Sequence, residues 1–157
     1  MSDLENGVTF MKIALEEARA GLTEGNRPFG CVIVRDNEVI GSGHARWQSR
    51  HDPTAHAEIE AIRTACQALS QDTLPDVTLY TTGEPCLMCV GAILFAAIPK
   101  VIAATTWTDR SEAFTTDHEG SLLHAHDLSV YPFEYSTGLL RDESLQLARD
   151  YEEKQKE

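Results

Sequence analysis

The first 25 residues repeat apolar positions with the period of an α-helix. Charged side chains, among them Lys12, Glu16 and Arg19, fall between those positions and leave one apolar face. We predict an amphipathic helix that opens near Asn6 and ends where glycines follow. Its apolar positions are Val8, Met11, Leu15, Ala18 and Leu22, and the glycines are Gly21 and Gly25.

Short apolar runs after this helix have the length and composition of β-strands. Residues 31–34 and 39–40 are joined through Asp36-Asn37, a pattern that predicts a hairpin. Gly41, Ser42 and Gly43 then predict a loop. Further strands are predicted at 77–81, 100–105 and 131–135.

Helical patterns alternate with these strands. Asp52 as a capping residue and Pro53 in the first turn predict the start of a second helix. A third helix beginning at Cys86 is apolar on all sides, which predicts burial or a subunit interface. Residues 141–157 predict an acidic C-terminal helix. The alternation implies an α/β domain with helices on both faces of a sheet.

Composition fits an ordinary globular protein. The 157 residues, 42% of them hydrophobic and 24% charged, predict one domain spanning 1–157. The acidic start lacks the order of a signal peptide, and the longest apolar run, 88–98, is too short to cross a membrane. We therefore expect a cytoplasmic protein without a membrane partner, in which Cys31 and Cys66 are buried thiols.

The charge balance bears on the substrate. Acidic residues outnumber basic ones by 25 to 13, a formal net charge of −12. Proteins that bind phosphate backbones usually present a basic face, so the balance favours a small diffusible substrate. A local basic patch keeps the nucleic-acid alternative open, formed by Arg46, Arg50, Arg63, Lys100 and Arg110.

Two stretches carry the chemistry, His56-Ala57-Glu58 and Pro85-Cys86-Leu87-Met88-Cys89. One imidazole and two thiolates are three ligands of the kind a catalytic zinc uses, with the fourth position left for water. Glu58 is a carboxylate placed to move the protons of that water. A redox dithiol, or a structural zinc site completed by another histidine, is the alternative. The candidate histidines are His118, His124 and His126.

Spacing constrains where such a site lies. His56 and Glu58 are two residues apart and would point to nearly opposite sides of a regular helix. Both serve one metal only beyond the N-terminal end of that helix. Cys86 and Cys89 share a face in a first turn, where the helix dipole favours thiolate. We therefore expect zinc to be held where two helices begin.

The H-x-E and P-C-x-x-C pair is the signature of zinc nucleobase deaminases. With the stretch 52–58, the chain resembles the cytidine deaminase superfamily from Phe10 to Asp117, in the branch of guanine and tRNA adenosine deaminases. The stretches around Cys66 and at 108–113 look more like bacterial guanine deaminases. The resemblance implies a three-layer αβα fold with a five-stranded mixed sheet, a zinc cofactor and a homodimer.

The same resemblance assigns roles. Glu58 would carry a proton from water to a ring nitrogen and then to the departing amine. Phe29 would stack on the base, Asp117 would bind its edge, and Ala55 would pack beside it. The predicted substrate is a free nucleobase, guanine first. Another purine, a pyrimidine, a nucleoside, a triazine or tRNA adenosine are alternatives, and a zinc-stapled binding module without catalysis is a third class.

Two positions depart from the resembled pattern. Ala45 stands where many relatives carry a substrate-contacting Asn, which makes His44 the candidate replacement. Gly83 stands where relatives often carry a bulkier residue. Both positions leave the base specificity open.

Overall fold

The computed structural model describes residues 2–114 and 126–157. Five strands form one mixed sheet in the order β2-β1-β3-β4-β5. β1 pairs antiparallel with β2 and β3, whereas β3–β4 and β4–β5 are parallel. The predicted five-stranded mixed sheet is thus confirmed. The strands are β1 Gly30–Arg35, β2 Glu38–His44, β3 Thr78–Gly83, β4 Lys100–Thr105 and β5 Glu134–Thr137.

Helices cover both faces of this sheet. The period of two along β1 explains why, since Ile33 packs on one side and Val32 on the other. The Ile33 side is filled by α3 and α4, and the Val32 side by α1. This is the predicted three-layer arrangement. The helices are α1 Asp3–Thr23, α2 Trp47–Arg50, α3 Ala57–Leu69, α4 Leu87–Phe95, α5 Trp107–Ala113 and α6 Arg141–Lys154.

The first helix begins earlier than its apolar pattern predicts. Ser2 caps α1, and its hydroxyl accepts a hydrogen bond from the Glu5 N–H at 3.3 Å. The Glu5 carboxylate accepts one in return from the Ser2 N–H at 2.7 Å. This capping box stabilises a first turn that carries no apolar residue of the buried face, so the predicted start near Asn6 was wrong.

The predicted loop at 41–43 is also wrong, because β2 continues to His44. Its glycines face α3. A Cβ at Gly41 would lie 2.6 Å from the Ala61 carbonyl oxygen, and one at Gly43 would lie 2.5 Å from the Glu60 Cβ. The two glycines therefore mark a close approach between strand and helix, and this approach sets the position of α3.

The second predicted helix starts at Ala57, five residues after Asp52. Asp52 caps a local turn instead, since its Oδ1 accepts hydrogen bonds from the Thr54 N–H at 2.9 Å and hydroxyl at 2.7 Å. His56 has extended backbone at φ −78° and ψ 156°, and it is the N-cap residue of α3. The short helix α2 in this connection was not predicted from the sequence.

Candidate active site

The N-terminal ends of α3 and α4 meet beside the sheet. His56 is the N-cap residue of α3 and Cys86 that of α4, and both have extended backbone. Neither side chain makes the capping hydrogen bond to its own helix. Both side chains are therefore directed away from their helix backbones, and Cys89 lies in the first turn of α4.

The ligand atoms of His56, Cys86 and Cys89 lie within 4.8 Å of one another. His56 Nδ1 is 3.7 Å from Cys86 Sγ and 3.6 Å from Cys89 Sγ. Zinc bonds of about 2.3 Å to sulfur and about 2.0 Å to nitrogen place such atoms roughly 3.6 Å apart at a tetrahedral angle. The geometry and the donor set thus both fit zinc.

Within residues 2–114 and 126–157, no further His, Cys, Asp or Glu joins this group of three. His126 is excluded as a fourth ligand, and both of its ring nitrogens lack a hydrogen-bond partner. His118 and His124 lie outside the described residues. Three protein ligands leave a position open, as catalytic zinc sites do.

The two thiols differ in acidity. A hydrogen bond from Cys89 lowers the pKa of Cys86 to about 4, against the opposing effect of burial and with help from His56. The same pairing, together with deep burial, raises the pKa of Cys89 well above the usual thiol range. Because zinc binds both sulfurs as thiolates, binding of the ion would release the proton that remains on Cys89.

Glu58 lies in the first turn of α3 with 7% of its surface exposed. The Thr81 hydroxyl lies 2.7 Å from Glu58 Oε1 and donates to it. Cys89 Sγ lies 3.4 Å from Oε2. One carboxylate oxygen is thus held by β3 while the other adjoins the ligand cluster.

Aromatic side chains form one wall of the pocket above these residues. The Trp47 ring lies 4.7 Å from the His56 ring and stacks at 5.9 Å on Phe29. The remaining free volume is about 10 Å³, room for about one water molecule. The lining residues are Phe29, Trp47, His56, Ala57, Glu58, Glu84, Cys86 and Arg110.

Arg110 was predicted as a member of a local basic patch for nucleic acid, and its burial, with 6% exposed, does not fit that role. Its Nη2 donates to the Glu84 carbonyl oxygen at 2.9 Å. Its guanidinium carbon lies 5.0 Å from the centre of the Phe29 ring. The guanidinium is buried and forms part of the pocket wall.

Comparison with known proteins identifies the fold and the motif together. Residues 4–105 match the family described as the cytidine and deoxycytidylate deaminase zinc-binding region. The chain belongs to this deaminase family. Zinc is accordingly the cofactor, and its site is the group formed by His56, Cys86 and Cys89.

Relatives of the deaminase act on two kinds of substrate. The guanine deaminase of Bacillus subtilis is 46% identical over 69% of this chain and 70% of its own length. The tRNA-specific adenosine deaminase of Aquifex aeolicus is 36% identical over 85% and 90%. The solved guanine deaminase of Nitrosomonas europaea has a TM-score of 0.79 at 27% identity, covering 92% of this chain and 83% of its own.

The remaining predicted substrate contacts of the deaminase are located as follows. Phe29 lines the pocket. Ala55 is fully buried, and its carbonyl oxygen accepts a hydrogen bond from the Arg46 N–H at 2.9 Å. Asp117 lies outside the described residues. The roles of all three remain predictions.

His44 does not replace the missing Asn at position 45. Its ring nitrogens lie 2.8 Å from Glu17 Oε2 and 2.9 Å from Glu24 Oε2, and the side chain is buried between these carboxylates. Ala45 is itself fully buried. His44 is thus committed to joining β2 to the C-terminal half of α1.

Trp47 and Thr81 were missed as site residues, along with Arg110. A tryptophan before the His motif was the only sequence signal for the first. Thr81 is brought to Glu58 by sheet pairing, which sequence spacing does not reveal.

None of the helices in the described ranges combines the length and hydropathy that a membrane span requires.

Proposed function

We propose that this protein hydrolytically deaminates a free aminated nucleobase, with guanine as the first candidate. The observation that carries the proposal is the Glu58 carboxylate, 3.4 Å from a zinc-ligand sulfur and buried in the pocket. A structural zinc site is closed by four protein ligands and does not require an additional carboxylate that is not a ligand. A general acid-base at the metal is what hydrolytic deamination requires.

When bound, zinc acts as a Lewis acid that makes a water molecule reactive at neutral pH. Glu58 accepts a proton from the attacking water and delivers it to the ring nitrogen beside the aminated carbon. Glu58 then takes the second water proton, from the hydroxyl group now on that carbon, and delivers it to the exocyclic amine, and the C–N bond breaks. The products are an oxo base and ammonia, which together contain all the atoms of the aminated base and of water. Thr81 holds Oε1 during these transfers, which leaves Oε2 for the proton.

Three features support a free base as the substrate. Phe29 and Trp47 offer aromatic surface suited to a flat ring. The net charge of −12 opposes approach of a polyanion. The identity of 46% to the Bacillus subtilis guanine deaminase favours guanine among the bases.

Adenosine in tRNA is the second candidate. Similarity to the Aquifex aeolicus tRNA enzyme extends over 85% of this chain, against 69% for the guanine deaminase. This wider coverage, with the exposed Arg50 of α2 and Arg63 of α3, favours it. The acidic balance of the whole chain opposes it.

The decisive experiment measures ammonia release from guanine, adenine, cytosine, cytidine, a triazine and a tRNA anticodon stem-loop. We expect turnover of guanine and none of the stem-loop. Fast turnover of the stem-loop without activity on any free base would replace the proposal by the tRNA reaction. No turnover of any substrate by protein with full zinc content would leave the binding module.

We further propose that residues 1–157 act as one zinc-dependent deaminase domain, located in the cytoplasm, and that the chain forms a homodimer through α4. Apolar side chains of this helix are exposed, with Phe95 at 89%, Leu87 at 47% and Leu94 at 39%. Such a patch is typical of an interface. Light scattering of Phe95→Glu beside the wild type tests the dimer, and a monomeric wild type would overturn it.

A further inference from the structure

Arg110 is a buried cation with few polar partners among the described residues. Among the described residues no carboxylate pairs with it, and its Nε has no hydrogen-bond partner. Among the described residues its only hydrogen bond goes to the Glu84 carbonyl oxygen, and it lies over the rings of Phe29 and Trp107 at 5.0 and 5.5 Å. Burying a charge with so few partners is unfavourable, so a ligand that supplies acceptors would recover much of the lost solvation.

The backbone around Arg110 leaves room for this side chain. A Cβ at Gly83 would lie 2.9 Å from Arg110 Nη1 and 3.2 Å from its Cδ. Helix α5 is fixed by a capping box between Thr106 and Asp109, and Asp109 pairs with Arg141 of α6 at 2.6 Å. The guanidinium therefore occupies a place that strand and helix together define.

The chemistry of a guanidinium restricts what it can bind. It offers donors in one rigid plane and no acceptor. Two adjacent acceptors in a flat ring match this fork, as the carbonyl oxygen O6 and ring nitrogen N7 of guanine do. Adenine presents an amino donor at the same edge, which would oppose the guanidinium.

We propose that Arg110 is a specificity-determining residue that binds the paired acceptor edge of an oxopurine, its carbonyl oxygen and neighbouring ring nitrogen. The assignment rests on the proposed function, since it supplies the reason why that site takes guanine. It also explains Gly83, because any side chain there would displace the guanidinium.

Position in the pocket favours a ring edge over a phosphate. Arg110 shares the lining with Glu58 and Cys86, which act at the aminated carbon. In a nucleotide, a sugar separates the phosphate from the base. Because the free volume is only about 10 Å³, a purine enters by displacing side chains. The long Arg110 side chain exchanges its contact with Phe29 for the edge of the incoming ring.

The test compares substrates that keep the reacting amine and lose one acceptor. 2-Aminopurine lacks the carbonyl oxygen, and 7-deazaguanine lacks the ring nitrogen. We expect wild-type kcat/KM to favour guanine over both. In Arg110→Met this preference should fall about ten- to hundredfold, as loss of a bidentate base contact does.

Arg27→Met is the matched control. Arg27 is also buried and lies over two rings, Phe114 at 5.1 Å and Tyr151 at 5.7 Å, outside the pocket lining. Its substrate preference should equal that of the wild type. If Arg110→Met fails to fold, Gly83→Ala displaces the guanidinium without removing it and should lower the preference in the same direction.

The outcomes separate the two proposals. Wild-type turnover of guanine with an unchanged preference in Arg110→Met or Gly83→Ala overturns the role of Arg110 and leaves the proposed function standing. Zinc-loaded wild type that releases ammonia from no free base overturns the proposed function, and the role of Arg110 with it.

Discussion

At the scale of single residues, Glu58 is the group on which the proposed chemistry depends. Glu58→Gln keeps the size of the side chain and its contact with Thr81 but cannot accept the proton of water. We expect kcat to fall by about 10²- to 10⁴-fold. The measurement is ammonia release together with zinc content, which should stay at one ion per chain. Activity within tenfold of the wild type would remove Glu58 from the proton path.

Thr81 acts on Glu58 through one hydrogen bond of 2.7 Å. Because hydrogen bonds to charged groups are the stronger kind, Thr81→Val should lower kcat roughly tenfold or more without changing KM or zinc content. Thr82→Val is the control, since that buried hydroxyl accepts a hydrogen bond from the Gly30 N–H at 3.1 Å instead. Equal losses in both variants would mean that only packing was disturbed.

Residues of the site differ in how far sequence reveals them. The metal ligands could be predicted from the sequence because they lie in two short motifs, one with His56 and one with Cys86 and Cys89. Each motif lies at the N-terminal end of a helix, which brings the ligands together. Arg110 and Thr81 reach the pocket from elements that only tertiary packing brings there. A buried arginine looks like a surface arginine until its helix is placed, so the basic-patch expectation could not distinguish the two.

At the scale of elements, the contact between β2 and α3 positions the metal ligand His56. Gly43→Ala would place a Cβ 2.5 Å from Glu60 Cβ and 2.9 Å from the Ala61 nitrogen. Overpacking of this kind costs about 1–3 kcal/mol in the free energy of unfolding. Urea denaturation measures it, and we expect zinc affinity to fall as α3 is displaced.

The matched control is Gly7→Ala in α1, where a Cβ would meet nothing closer than 3.5 Å. Greater helix propensity should make this variant more stable, by up to about 1 kcal/mol. Equal stability of the two alanine variants would contradict the close approach at Gly43.

The order of helices and strands could be predicted because the spacing of hydrophobic residues reflects which face of each element is buried. The residues at which elements begin and end were harder to predict. Ser2 and Asp52 are both capping residues by type, yet the first opens a long helix and the second only a turn. The glycines of β2 are typical of loops by composition, and only the neighbouring helix explains why a strand uses them.

At the scale of the whole molecule, charge and shape bear on substrate choice in different places. The net charge of −12 belongs to the whole chain, whereas Arg110 is a buried cation in the pocket wall. A neutral base with acceptors on its edge can bind Arg110 and is little affected by the net negative charge. The phosphate backbone of a tRNA would be repelled by that net charge, whereas a neutral base would not.

The meeting of two helix ends has a thermodynamic consequence for the entire chain. His56 and Cys86 are 30 residues apart in sequence, so a bound ion closes that stretch into a ring. A permanent cross-link over such a loop removes about 3–4 kcal/mol of conformational freedom from the denatured ensemble in the chain-entropy model. Since the site forms only on folding, metal affinity adds directly to stability.

Chelation should therefore lower the Tm of the wild type, and readdition of zinc should restore it. Cys89→Ser should melt near the chelated value and respond less to chelator. Calorimetry with and without chelator provides the measurement, and a wild-type Tm indifferent to metal would contradict the link. On this account zinc both activates water and cross-links two helix ends. Removing zinc should therefore abolish the reaction and lower the stability of the fold together.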